Sequence, residues 1–132
     1  MTKDIKLTRT IKATPEEVYI ALTNPFSIEL WTGEPAVMST EVGSEFSILD
    51  GEISGLNMEF KENELIKQLW YFGEDVENSI VTIALEPEKN HTKVFIEHKN
   101  IPLEAYENML EGWKEYYLGA LKTFFELKDS ED

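Results

Sequence analysis

Few side chains in this 132-residue sequence could take part in chemistry: it contains two histidines, one arginine and no cysteine. Without cysteine the chain has no thiol nucleophile, thiolate metal site or disulfide. His91 lies in a predicted turn near Glu86 and Glu88, which together offer one imidazole and two carboxylates to a metal ion. Carboxylates in an exposed turn are usually hydrated, so we expect no metal site there.

The other two candidates, His98 and Arg9, lie on predicted strands. His98 has the strand parity of Val94 and Ile96, so its side chain is expected to point inward. An inward histidine is either a hydrogen-bonded core residue or a contact for a ligand or substrate. Because an unpaired buried arginine is costly, Arg9 either pairs with a protein carboxylate or solvent, or anchors a ligand carboxylate.

No sequence motif commits the chain to an enzymatic reaction. It has no phosphate-binding loop, dinucleotide fingerprint, zinc-binding helix motif or nucleophile elbow. No pair of residues is spaced for general acid–base catalysis. We therefore expect a non-enzymatic protein that needs no cofactor and has no catalytic residues.

The composition predicts one acidic, cytoplasmic domain. The 26 acidic and 12 basic side chains give a net charge of −14, which repels phosphate backbones, so we expect no nucleic-acid partner. This charge serves either solubility or the attraction of a basic partner. The first residues lack the apolar run of a secretion signal, and no segment has the length of a membrane span, so we expect no membrane insertion. We place one domain at 1–128 and a disordered acidic tail at 129–132.

Alternating apolar and polar residues predict a domain rich in strands. One strand begins near Ile5, and Thr14-Pro15 then starts a short helix, because threonine caps helices and proline suits their first position. Asn24-Pro25 ends that helix and starts another. Six more strands are predicted at 36–41, 45–49, 52–60, 65–72, 80–86 and 93–99, with a hairpin turn at Asp50-Gly51 and a loop at 72–78. With a long helix from 103 to about 127, this order predicts an α+β fold.

The last helix combines a wide apolar face with two unexpected glycines. At about 100° per residue, nine apolar residues share one face: Tyr106, Met109, Leu110, Trp113, Tyr117, Ala120, Leu121, Phe124 and Leu127. Tyr116 and Phe125 lie at the edges of this face. Gly112 and Gly119 line one flank, where the missing side chains either permit close packing of a neighbouring segment or leave a cavity entrance.

Four segments of the sequence resemble a known family: WTGEPAVMSTEVGSEFSILDGEISG, NELIKQLWYF, SIVTIALEPEKNHTKVFIEHKNIP and EGWKEYYLGALKTFF. They are similar to the C-terminal domain of the activator of heat shock protein 90 ATPase and, more broadly, to the START-like, birch-pollen-allergen superfamily (SRPBCC). The resemblance implies a helix-grip fold, in which a curved seven-stranded antiparallel sheet wraps around the long C-terminal helix. It also implies a cavity between sheet and helix, which in many relatives holds an apolar ligand.

Two functions follow as hypotheses. In the first, a small hydrophobic or aromatic ligand binds between sheet and helix, against side chains that point into this space. In the second, the chain is a chaperone cofactor that contacts a heat shock protein 90 homologue through its acidic surface. A filled core without a cavity is an equal alternative to the first hypothesis, since apolar rings are buried in either case. The candidate ligand-binding residues are Arg9, Ile66, Trp70, Phe72, Ile83, Ile96, His98, Met109, Trp113, Tyr116 and Tyr117.

Overall fold

The computed structural model describes residues 1–72 and 79–130, with side chains as far as residue 128. Most of the predicted loop at 72–78 and the last two residues of the predicted tail therefore lie outside the described residues. Within the described part, one six-stranded antiparallel sheet has the order β1-β6-β5-β4-β3-β2. The strands are β1 (Thr2–Ile11), β2 (Glu45–Ile48), β3 (Ile53–Lys61), β4 (Leu65–Trp70), β5 (Ser79–Glu88) and β6 (His91–Pro102).

Two short helices follow β1, as predicted: α1 (Pro15–Thr23) and α2 (Pro25–Thr32). Thr14 and Glu17 form a reciprocal cap, in which each side chain accepts a hydrogen bond from the other residue's backbone N–H. Asn24 ends α1 and caps α2, because its side-chain oxygen accepts from the N–H groups of Phe26 and Ser27. These side-chain caps satisfy N–H groups that have no partner inside the helix.

The predicted strand at 36–41 is wrong, so the sheet formed by the described residues has six strands and not seven. Only Val37 pairs there, in a single bridge with Ser47. The Ser39 hydroxyl then donates to the Ser44 hydroxyl and accepts from the Glu41 N–H. These local hydrogen bonds favour a turn over a strand. The hairpin turn at Asp50-Gly51 is confirmed, since it joins β2 to β3.

The long C-terminal helix is present, but it is not a regular α-helix. It comprises α3 (Leu103–Glu111), a π-helical segment (Gly112–Tyr117) and α4 (Leu118–Ser130). The Leu118 N–H donates to the carbonyl of Trp113, five residues earlier. A π turn therefore accommodates one extra residue, which rotates the following residues by about 100°.

This rotation changes which residues of α4 face the sheet. Leu118 and Phe125 are buried, although the regular helical projection places neither at the centre of the apolar face. Phe124 is only half-buried and Leu127 is exposed, so their predicted inward positions are wrong. Leu121 is buried in the structure, as the regular helical projection also predicts. The helix also runs to Ser130, beyond the predicted end near residue 127.

The two glycines of the helix have different roles. A Cβ atom at Gly119 would lie 2.5 Å from the carbonyl oxygen of Lys114, which belongs to the π-helical segment. Gly119 therefore permits the backbone to form this segment. At Gly112 a Cβ atom would meet nothing within 4 Å, so the helix has open space beside it.

Candidate functional site

Two stacked indole rings fill the space between the sheet and the C-terminal helix. Trp70, the last residue of β4, and Trp113, in the π-helical segment, have ring centroids 4.8 Å apart and planes inclined by 16°. The Trp70 N–H donates to the side-chain oxygen of Gln68 at 2.9 Å, and the Trp113 N–H donates to His98 Nδ1 at 3.0 Å. Both rings are almost fully buried, so the predicted ligand space contains protein side chains.

His98 is a hydrogen-bonded core residue. An indole N–H can only donate, so Nδ1 of His98 is the acceptor and Nε2 carries the proton. Nε2 then donates to the Ser79 hydroxyl at 2.8 Å, which donates in turn to the carbonyl of Lys99 at 3.0 Å. Burial lowers the pKa of His98 to about 4, with a weaker opposing influence from Asp4. The neutral imidazole therefore positions Trp113, and both of its nitrogens are occupied.

A second buried chain of hydrogen bonds orients Trp70. Gln68 donates to the Asn57 side-chain oxygen at 2.9 Å, and the Asn57 amide donates to the carbonyl of Ser39 at 3.2 Å and to the hydroxyl of Ser44 at 3.1 Å. This chain ties Trp70 to the 38–44 loop. Asn57 was missed by sequence reasoning. A signal was available, because Asn57 and Gln68 are both polar, both at inward positions, and opposite each other on neighbouring strands.

Outside this core, a groove of about 880 Å³ lies between the C-terminal helix, the end of α2 and the turn between β2 and β3. Its floor contains five aromatic or thioether side chains, and all five were predicted as ligand-binding residues. They are Trp70, Met109, Trp113, Tyr116 and Tyr117. Trp70, Trp113 and Tyr117 are buried beneath the groove, whereas the ring of Tyr116 is 61% exposed. Gly112 also lines the groove, and a Cβ atom there would meet nothing within 4 Å.

The rim of the groove carries four exposed carboxylates from three elements of the fold. Glu34 follows α2, Asp50 and Glu52 lie in the turn between β2 and β3, and Glu111 ends α3. The Asp50 N–H donates to the carbonyl of Pro35 at 3.2 Å, which holds the two loops together. Among the residues that the structure describes, no lysine, arginine or histidine lines this groove.

The other predicted site residues lie away from the groove. Ile66, Ile83 and Ile96 are core residues of the sheet, each no more than 2% exposed. Phe72 is half-buried, with its ring centroid 5.9 Å from that of His98. Arg9 donates to the carbonyl of Thr8 at 2.9 Å. The structure thus brings together five of the eleven candidates, and His98 supports them from below.

In the described part of the chain, no three histidine, aspartate or glutamate side chains converge as a metal site would require. None of the helices described here has the length and apolar character needed to cross a membrane.

The six-stranded antiparallel sheet, the two short helices after β1 and the long C-terminal helix define a START-like helix-grip domain. The family model described as "Activator of Hsp90 ATPase homolog 1-like protein" matches residues 12–126, and the chain belongs to this family.

Known relatives agree with this assignment. The human activator of 90 kDa heat shock protein ATPase homolog 1 is 29% identical over 123 residues, which are 92% of this chain and 36% of the human protein. The chain thus spans about a third of the length of the curated relatives that it matches. The crystal structure of an HSP90 activator from Plasmodium falciparum superposes with a TM-score of 0.83 at 25% identity, covering 91% of this chain and 94% of that one. Protein MLL2253 from Mesorhizobium loti has the same fold, with a TM-score of 0.81 at 23% identity over 98% of this chain and 99% of that chain.

Proposed function

We propose that this chain is a non-catalytic binding domain that takes a small ligand with an aromatic or apolar body in the groove beside the π-helical segment. The observation that carries the proposal is the aromatic floor of this groove. Its volume of about 880 Å³ falls in the range of about 300–1,000 Å³ that is typical of small-molecule sites. The exposed ring of Tyr116 offers a ligand an apolar surface to stack on, and the buried rings of Trp70, Trp113 and Tyr117 support the floor beneath it.

Binding without catalysis is supported by the contacts of His98 and Arg9, the two residues that the sequence offered for chemistry. His98 is neutral, and its ring nitrogens are engaged with Trp113 and Ser79. Because both nitrogens are occupied, His98 has no free position from which to take a proton from a substrate. Arg9 contacts the backbone of Thr8, so the groove receives no guanidinium from it.

The test is an NMR titration of the ¹⁵N-labelled protein with neutral aromatic and alkyl compounds. We expect shift changes at the indole N–H groups of Trp70 and Trp113 and at the backbone N–H of Gly112. Gly112→Leu should abolish these changes, because a Cβ atom at this position meets nothing within 4 Å and the rest of the new side chain would extend into the groove. Thr123→Leu adds the same side chain at an exposed position of α4 outside the groove, and should bind as the unmodified protein does.

Two results would overturn the proposal. One is an absence of shift changes at the groove residues with every compound. The other is an equal response of the Gly112→Leu and unmodified proteins.

A second candidate function, chaperone regulation, is favoured by the family. The human relative is an activator of a 90 kDa heat shock protein ATPase, and this chain would act on a homologous chaperone by direct contact. The net charge of −14 supports attraction to a basic surface. We expect the chain to raise the ATPase rate of a heat shock protein 90 homologue, and more strongly at low salt than at high salt. An unchanged rate at low salt, together with an absence of binding in a pull-down, would contradict this function.

A further inference from the structure

The groove combines two features that the proposed function leaves unexplained. Its floor is aromatic, and its rim carries the carboxylates of Glu34, Asp50, Glu52 and Glu111. The ion pairs found among the described residues lie elsewhere: Glu97 pairs with Lys6 and Lys99, and Glu126 pairs with Lys122. Within the described ranges, no lysine or arginine lines the groove or pairs with these four carboxylates, so the rim faces the groove with negative charge.

We propose that the groove selects an organic monocation, such as a primary alkylammonium compound with an aromatic or alkyl body. This inference rests on the proposed function and adds the chemical class of the ligand. The apolar body would lie on the exposed ring of Tyr116 beside Gly112, and the ammonium group would face the rim. A cation close to an aromatic face is attracted by the ring quadrupole, and the exposed ring of Tyr116 is available for this contact.

Charge complementarity decides between a cation, a neutral molecule and an anion. An anionic ligand would meet four carboxylates and be repelled. A neutral ligand would cover the rim and remove water from the carboxylates without offering them a partner, which is unfavourable. A cation offers the partner and gains from each carboxylate. The expected order of affinity is therefore cation, then neutral molecule, then anion.

Three compounds that share one body and differ in charge provide the test. Phenethylamine is a cation, 3-phenylpropanamide is neutral, and 3-phenylpropanoate is an anion near neutral pH. Titrations followed at the indole N–H groups of Trp70 and Trp113 should show the amine binding on the order of tenfold more tightly than the amide, with the propanoate weakest. The preference for the amine should shrink at high salt, because screening weakens the interaction with exposed carboxylates.

Matched charge variants locate the effect. Glu52→Gln with Glu111→Gln removes two rim carboxylates, and we expect the amine to lose about twofold to fivefold in affinity for each of them while the amide is unaffected. The control is Glu86→Gln with Glu88→Gln, which removes the same charge at the opposite end of β5 from Ser79, the partner of Trp70. This control should bind the amine as the unmodified protein does.

The outcomes separate this inference from the proposed function. If the amine and the amide bind with equal affinity in the groove, the groove is a ligand site and selection for a cation is refuted. If the control variant weakens amine binding as much as the rim variant does, the amine responds only to overall charge, which also refutes the inference. If none of the three compounds perturbs the groove residues, the proposed ligand site fails, and this inference fails with it.

Discussion

Replacing each glycine of the C-terminal helix by alanine should change stability in opposite directions. At Gly112 the backbone is α-helical, with φ −59° and ψ −45°, and a Cβ atom meets nothing within 4 Å. Gly112→Ala should therefore stabilise the fold by up to about 1 kcal/mol, which is the difference in helix propensity between the two residues. At Gly119 a Cβ atom would lie 2.5 Å from the carbonyl oxygen of Lys114.

The contact at Gly119 is with backbone, which cannot rotate away as a side chain can. Overpacking by one carbon typically costs about 1–3 kcal/mol, and a fixed partner places this site near the upper value. After subtracting about 1 kcal/mol for helix propensity, Gly119→Ala should destabilise the fold by about 2 kcal/mol. The two variants should thus differ by about 3 kcal/mol, or roughly 10 °C in melting temperature for a domain of this size.

Urea denaturation followed by circular dichroism measures both changes in the free energy of unfolding. Both variants replace glycine by alanine in the same helix, so the change in helix propensity is the same in each. Each variant therefore serves as the control for the other. If Gly119→Ala proves as stable as Gly112→Ala, the helix has no π-helical segment at 112–117, and the observed placement of Leu118 and Phe125 in the core would be refuted.

Three further predictions follow from single contacts. Burial lowers the pKa of His98 from 6.5 to about 4, so the unfolded chain takes up a proton near pH 6.5 that the folded chain takes up only near pH 4. The contribution of His98 to the free energy of unfolding should therefore fall by about 3 kcal/mol as the pH drops through this window. At pH 5, NMR should show a neutral His98 ring that is hydrogen-bonded to Trp113. A ring that is already protonated at pH 5 would contradict the assignment. Asn24→Ala removes the side-chain cap of α2 and should cost about 1 kcal/mol in urea denaturation, whereas an unchanged midpoint would show that the cap contributes nothing. Gly55→Ala would drive a Cβ atom into the carbonyl oxygen of Leu69 on the neighbouring strand, so we expect little folded protein in a circular dichroism spectrum, and a native spectrum would contradict this strand packing.

Much of the fold could be predicted because the relevant chemistry is local. Thr14 and Glu17 lie three residues apart, which is the spacing of a capping pair, and their hydrogen bonds are present. Asp50-Gly51 likewise indicates a hairpin turn within four residues of sequence. Strand alternation depends only on neighbouring residues and correctly places His98 inward.

The errors arise where the chain departs from the regular repeat of a strand or a helix. Val37 has the composition of a strand residue, but hydrogen bonds between Ser39, Glu41 and Ser44 turn the chain after one bridge. A helical projection with a constant angle per residue cannot predict the π-helical segment, because it assumes 3.6 residues per turn throughout. Gly119 was the one local sign of it, since glycine is costly in a regular helix.

The sequence left open whether the space between sheet and helix is a cavity or a filled core, and in the structure two stacked, buried indoles occupy it. Inward parity correctly selected Trp70 and His98 but could not reveal that the two indoles stack and fill the interior. Whether such rings leave a cavity depends on the distance between sheet and helix, and this distance cannot be predicted from a pattern of residues. The acidic rim was also missed, because Glu34 and Glu111 are far apart in sequence and meet only through the fold.

A crystal structure of the protein with phenethylamine tests the central claim most directly. Our account predicts the phenyl ring on the exposed ring of Tyr116, with the ammonium group within hydrogen-bond distance of a rim carboxylate such as Glu52 or Glu111. A groove that contains only water at saturating phenethylamine, or a ligand bound elsewhere on the molecule, would contradict it.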